Sequence, residues 1–105
     1  MTDGSVRDNA DLHRYELTDG DELGAFTEYV LHGTVADFVH TETLSGHEGR
    51  GLGSTLVREA LDDARRRGWQ VRPFCPFVRA FIAKHPDYVE LVPSGERARF
   101  ELEGN

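Results

Sequence analysis

Residues 46–68 read GHEGRGLGSTLVREALDDARRRG, with glycine at 49, 51 and 53 immediately before a helical pattern. Leu52, Leu56, Val57, Ala60, Leu61 and Ala64 recur at steps of three and four, while Arg58, Glu59, Asp62, Asp63, Arg65 and Arg66 fall mostly on the other side. This spacing predicts an amphipathic helix with one buried face. Arg65, Arg66 and Arg67 suit its C-terminal end, where the helix dipole favours cations, and Gly68 suits the left-handed residue that closes a helix. At the start, Gly51 and Gly53 leave amides uncovered where the first turn has no internal partners, with the hydroxyls of Ser54 and Thr55 beside them. Such a terminus suits a phosphate; the plainer reading is a flexible turn.

Three phosphate loops compete with that plain turn. A Walker loop ends in Gly-Lys-Ser/Thr, and this stretch has no lysine. A dinucleotide fingerprint has the spacing G-x-G-x-x-G inside a repeated βαβ unit; here the spacing is G-x-G-x-G, and 105 residues leave little room for two such halves. The third is the pyrophosphate loop of a coenzyme A enzyme, which can follow several antiparallel strands.

The upstream sequence has such strands. LHRYEL at 12–17 alternates, with Tyr15 and Leu17 inward; TDGDELG at 18–24 is turn chemistry; AFTEYVL at 25–31 is a second strand. His32 and Gly33 make a tight turn into TVADFVHTE at 34–42, so an antiparallel meander precedes the loop. After the helix, WQVRPF at 69–74 is a short strand whose Pro73 removes a ladder donor. CPFVRAFIAKH at 75–85 is a second helix, with Pro76 in the first turn and Pro86 as its limit. The tail, YVELV, PSGE and RARFEL, is expected to form a closing hairpin, and residues 1–10 are expected to be frayed or disordered. The fold class is α+β: a mixed, mostly antiparallel sheet in the order β-β-β-α-β-α.

Composition narrows the function. The chain is expected to be one domain over residues 1–105, large enough to bury somewhat over 60% of its unfolded surface. No apolar run reaches the roughly 18 residues of a membrane span, and MTDGSVRDNAD has no signal-peptide core, so a cytoplasmic location is expected. Cys75 is the one cysteine and no Cys/His cluster has zinc spacing, so neither disulfide nor metal is expected. A net charge of −7 argues against nucleic acid and favours cationic ligands, although an acidic surface also serves solubility.

HTETLSGHEGRGLGSTLV, followed closely by PFCPFVRAFIAKHPDY, resembles the minimal single-domain members of the GNAT superfamily of acetyl-CoA-dependent N-acetyltransferases. The resemblance covers roughly residues 13–92. A glycine loop before a helix is common, whereas CPFV, a helix and then HPDY is a narrow signature. The resemblance implies a sheet splayed near its centre, between the strand ending near Glu42 and the strand ending near Phe74. It also implies that the pantetheine arm of acetyl-CoA enters the splay, between Thr43 and Leu44 on one side and Pro76 and Phe77 on the other. The pyrophosphate would rest on amides of the loop Glu48, Gly49, Arg50, Gly51, Leu52, Gly53 and Ser54. The superfamily usually has Gln or Arg where Glu48 stands; a carboxylate there repels a diphosphate, and Arg50 is the residue placed to compensate.

Acetyl transfer to an amine needs the amine neutral, the thioester carbonyl polarised and the leaving thiolate stabilised. Glu42, at a strand end beside the expected splay, is the candidate base; the alternative is a solvated carboxylate. His40, on the same strand face, could relay that proton or be structural. Cys75 sits at a helix start just before Pro76, where the helix field favours negative charge; a buried, inert cysteine is the competing reading. The superfamily's usual acid is a tyrosine in this helix, yet Phe77 and Phe81 occur here and Tyr88 lies beyond Pro86, so Cys75 is the first candidate donor and Tyr88 the second. Direct transfer ranks above a covalent acetyl-Cys75 route. The resulting expectation is a small N-acetyltransferase for a primary amine, a protein lysine or a cationic small molecule. A non-catalytic acyl-CoA-binding module is the alternative.

Overall fold

The computed structural model describes residues 5–103. Five strands, β1 (Ser5–Asn9), β2 (Arg14–Asp19), β3 (Glu22–His32), β4 (Val35–Thr43) and β5 (Gln70–Pro73), form one sheet in the order of the chain. The first four are antiparallel and β5 runs parallel to β4, with α1 (Leu52–Arg66) as the crossover and α2 (Pro76–Lys84) after β5. The expected α+β architecture is the observed one.

One face of the sheet carries the core. Tyr15, Leu17, Ala25, Thr27, Tyr29, Ala36, Phe38 and Val71 are buried there against Leu52, Leu56, Val57, Ala60, Leu61 and Ala64 of α1. Val78, Phe81 and Ile82 bring α2 into the same core. The helix pattern read from residues 52–64 is thus the packing surface.

Two bulges set the register. Leu17 pairs with Ala25 and Thr18 with Leu23, leaving Gly24 as an extra residue in β3. A Cβ on Gly24 would lie 3.0 Å from the Cβ of Asp19, so a residue without a side chain suits this bulge. In β4, Tyr29 pairs with Phe38 but Glu28 with His40, so Val39 is the extra residue. A one-residue shift moves every later side chain to the opposite face. Thr41 and Thr43 therefore follow Phe38 onto the helix side, while His40 and Glu42 point to the other side.

Three stretches differ from expectation. The turn read at 18–24 shrinks to Gly20 and Asp21, because β2 and β3 remain paired to Asp19 and Glu22. Residues 5–9 of the segment expected to fray form β1; Asp8 accepts from the Tyr29 hydroxyl at 2.7 Å and pairs with Arg67 at 3.1 Å, giving this polar strand fixed anchors. Ala10 begins a 3-10 turn, Ala10–Leu12, which also takes Leu12 out of the strand read at 12–17, and residues 1–4 lie outside the described residues. The tail forms 3-10 turns at Pro86–Leu91, Ser94–Glu96 and Ala98–Phe100 in place of a hairpin. Leu102 donates its amide to Arg97 and Phe100 packs edge-on against Phe74 at 5.1 Å, so the apolar residues are buried without strand pairing.

Candidate active site

β4 and β5 part company at a defined point. Arg72 grips the buried Asp37 across the two strands with contacts of 2.6 and 2.8 Å, and pairing continues to Phe38 and Pro73. Phe74 then turns its amide back to Arg72, and the Cys75 amide takes the Phe38 carbonyl at 2.8 Å. β4 continues to Thr43 with no β5 partner. The divergence lies between the two expected strands. Because β5 is the edge strand of the described sheet, the opening is at the margin and not the centre.

Strand alternation decides which backbone groups face this opening. The Leu44 amide donates to the Gly24 carbonyl at 2.8 Å, toward β3, so Thr43 and Thr41 present theirs to the open edge. Leu44, placed beside the splay from the sequence, thus commits its amide to the sheet. Thr43 sits against Gly53, and Pro76 and Phe77 begin α2 on the far side of the gap.

Next to the gap lies a cavity of about 250 Å³, lined by Thr43, His47, Glu48, Gly49, Gly51, Leu52, Gly53, Ser54 and Phe77. Gly51 caps α1 in the left-handed region at φ +73°, and the first helical bond to it comes from Thr55 at 3.1 Å. The amides of residues 52–54 therefore have no intrahelical acceptor. Gly53 is buried with an ordinary φ. A Cβ there would meet the Phe77 ring at 3.0 Å and Thr43 Oγ1 at 3.5 Å, so this glycine is a close-packing position and not part of a loose turn.

The charges of the loop are arranged differently from the sequence expectation. Glu48 folds its carboxylate back to accept the Gly46 amide at 2.9 Å. Arg50 does not compensate for it, because its guanidinium pairs with Asp19. Asp19 also meets His47 Nδ1 at 2.6 Å, and His47 Nε2 lies 3.0 Å from Glu22. His47 and Asp19 were not singled out from sequence; nothing in a linear reading brings residue 19 to residue 47.

On the face away from the helices, His40 Nε2 lies 3.2 Å from Glu42 Oε1, and both side chains are about half exposed. Phe26 and Glu28 flank them in register, opposite Glu42 and His40 respectively. Cys75 is 3% exposed, the burial that the competing reading of it describes. It is the N-cap residue of α2, yet its thiol makes no capping bond and instead donates to Thr41 Oγ1 at 3.3 Å, which in turn lies 2.8 Å from Thr27 Oγ1. Thr41 went unnoticed in the sequence because only the bulge turns it toward Cys75. Tyr88 is not brought to this group: its hydroxyl donates to Asp62 at 2.7 Å, which lies about 15 Å along α1 from Leu52 at 1.5 Å per residue. Burial, followed by that hydrogen bond, pushes the Tyr88 phenol above its usual range.

The same fold occurs in the NMR solution structure of a GCN5-like protein from Staphylococcus aureus, with a TM-score of 0.66 and 17% identity over 89% of this chain and 91% of that chain. The family model for the GCN5-related N-acetyl-transferase matches residues 14–91, from the start of β2 through the turn after α2. That span contains the meander, the glycine loop, the parted strands and both helices, and the chain belongs to the GCN5-related N-acetyltransferase family.

Proposed function

We propose that the protein is an acetyl-CoA-dependent N-acetyltransferase that acylates a primary amine, a protein lysine or a cationic small molecule, by direct transfer. The observation that carries this reading is the open β4 edge beside the glycine loop. Amides with no intrahelical acceptor stand at one end of the gap, and free backbone groups at Thr41 and Thr43 line its wall. The residues suit a diphosphate joined to an extended amide-bearing arm. The cavity is bounded by small side chains at 49, 51, 53 and 54, and Gly53 leaves just enough space for the Phe77 ring. Acetyl-CoA supplies the activated acetyl group as a thioester.

The chain's own residues then have distinct tasks. The amides of 52–54 and the start of α1 favour negative charge. The strand-edge groups of Thr41 and Thr43 orient the arm by main-chain pairing. Glu42, steadied by His40, accepts the proton of the attacking amine directly or through a water, while the amine nitrogen bonds to the carbonyl carbon and the carbon–sulfur bond breaks. Cys75 is next to the gap at the N-cap of α2 and is the candidate to return a proton to the leaving sulfur. The polar partner of its thiol is Thr41, not a base, which favours direct transfer over an acetyl-cysteine. On the open face around His40, Glu42 pairs with His40, and Arg14, across from Glu28 in register, is engaged by Glu16; the remaining carboxylates suit a cationic acceptor.

The test is CoA release from acetyl-CoA across a panel of amines, including spermidine and a lysine peptide, alongside calorimetric binding of CoA. Amine-dependent release is expected. Binding without turnover on any amine would favour the non-catalytic module, and absence of binding would end the acetyl-CoA reading.

A further inference from the structure

The glycine loop is tied to the turn between β2 and β3 by a polar cluster that acetyl transfer leaves unused. His47 lies between two carboxylates, Asp19 at the end of β2 at 2.6 Å and Glu22 at the start of β3 at 3.0 Å. Its side chain is 12% exposed and that of Asp19 14%, while Glu22 is largely in solvent. Arg50, three residues further along the loop, pairs with the same Asp19 oxygen. Glu48, the remaining charged group of the loop, is turned away onto the Gly46 amide. His47 also lines the cavity formed by the glycine loop.

A neutral imidazole has one donor and one acceptor nitrogen, whereas both nitrogens here face carboxylate oxygens. Only the doubly protonated ring satisfies both contacts. When the ring is neutral, one nitrogen lone pair confronts a carboxylate and one of the two ties to the hairpin becomes repulsive. The loop from 49 to 54 contains three glycines and has little side-chain packing of its own before Leu52, so its aim depends on such external ties.

We infer that His47 is a positioning residue for the cofactor loop: its imidazolium clamps the loop to the β2–β3 turn, so that cofactor affinity falls when the ring loses its proton. The inference rests on the acetyl-CoA reading. The Asp19 hydrogen bond raises the His47 pKa, burial opposes it, and Glu22 adds to the rise. His47 and Arg50 together hold the Asp19 carboxyl below its usual range against the effect of burial. Because the folded value is raised, the clamp is complete below the ordinary histidine value of 6.5 and is lost as pH rises through the higher folded value.

The experiment measures CoA affinity by calorimetry at about pH 6 and about pH 9, on either side of the histidine transition, in wild type and in His47→Gln. Imidazole NMR titration of the ligand-free protein accompanies it. Glutamine retains one amide donor and cannot be charged, and ionisation of the ligand is common to both proteins. In wild type the Kd should rise roughly tenfold across this range, the scale of one charge-assisted hydrogen bond. The variant should be uniformly weak, close to wild type at the higher pH, and its acetyl-CoA KM should rise while kcat stays within about twofold, as loss of uniform binding requires. His47→Gln with wild-type affinity and wild-type pH dependence overturns the inference, as does a ligand-free His47 that titrates at or below the ordinary value. Wild type that binds no CoA at either pH sinks the acetyl-CoA reading and the clamp with it. Binding by wild type and variant with equal affinity at about pH 6 sinks the clamp alone.

Discussion

Gly51 and Gly53 stand two residues apart and should fail in opposite ways when replaced by alanine. At Gly51 a methyl group meets nothing within 4 Å, but φ is +73°, so the cost is conformational. A left-handed L-residue costs roughly 1–2 kcal/mol, and for a domain of this size each kcal/mol lowers Tm by roughly 4–8 °C. At Gly53 φ is ordinary and the residue is in the first turn of α1, so the backbone accepts alanine. The new methyl would lie 3.0 Å from Phe77 Cζ, the far end of a ring that is 43% exposed and free to swing outward. Stability should stay within about 0.5 kcal/mol of wild type, the range of changes that break no special contact. The displaced ring, however, lines the cavity together with Thr43 and Ser54. Gly53→Ala should therefore lose most of its thermal shift with acetyl-CoA, a shift equivalent to about 2.7 kcal/mol in wild type at a hundredfold excess over Kd. Gly51→Ala should begin from a lower Tm and keep a larger part of that shift. Differential scanning fluorimetry of the three proteins with and without acetyl-CoA reads both effects. Gly53→Ala with a Tm as depressed as that of Gly51→Ala, or with the full wild-type shift, would refute the reasoning.

Glu42→Gln should reduce turnover by roughly 10²-fold to 10⁴-fold, the range for loss of a general base, with CoA affinity unchanged in the same preparation; full turnover would remove Glu42 from the mechanism. Cys75 is 3% exposed, so alkylation by iodoacetamide should be slow in the native protein and fast in denaturant; rapid native labelling would mean that the α2 start opens readily. Cys75→Ser should keep more activity than Cys75→Ala if the group serves the leaving sulfur, and equal, undiminished activity in both would leave it a packing residue. Burial opposes ionisation of Glu16, but hydrogen bonds from Arg14 and Asn9 prevail and hold its carboxyl below the usual 4.5. Its stabilising contribution is therefore complete above that value and lost as pH falls through the lower folded value, so Glu16→Gln should flatten the decline of Tm at acid pH; an unchanged decline would assign acid sensitivity elsewhere.

Much of this protein follows from sequence because the relevant forces are local or periodic. The face of α1 is set by apolar residues at helical spacing, Gly68 ends the helix region in the left-handed conformation, and Pro76 opens α2 at its first residue. The meander follows from alternation at Tyr15 and Leu17 and from the glycine turn at 33, and the end of β5 follows from the missing amide of Pro73. The likeness of the loop and CPFV segments to acetyltransferases already indicated the family.

Side-chain direction beyond Phe38 was a tertiary matter. Simple alternation would put Phe38, His40 and Glu42 on one face; the Val39 bulge separates them, sends Thr41 to Cys75 and leaves His40 and Glu42 outside. β1 is too polar to be recognised as a strand by itself, and it is ordered by Asp8 meeting Tyr29 and Arg67, residues that converge only after the sheet and α1 have packed. The spacing of Phe100 and Leu102 suits a strand, yet both are buried through 3-10 turns because Phe74 and Arg97 give them partners without a ladder. The same distinction governs the loop. The glycines announce a place where backbone is bare, but the fate of its charges depends on Asp19 and Glu22 arriving from another hairpin. Periodicity and backbone chemistry act between neighbours in sequence; a bulge register or an ion pair is decided by the competition among groups that only the folded chain brings within reach.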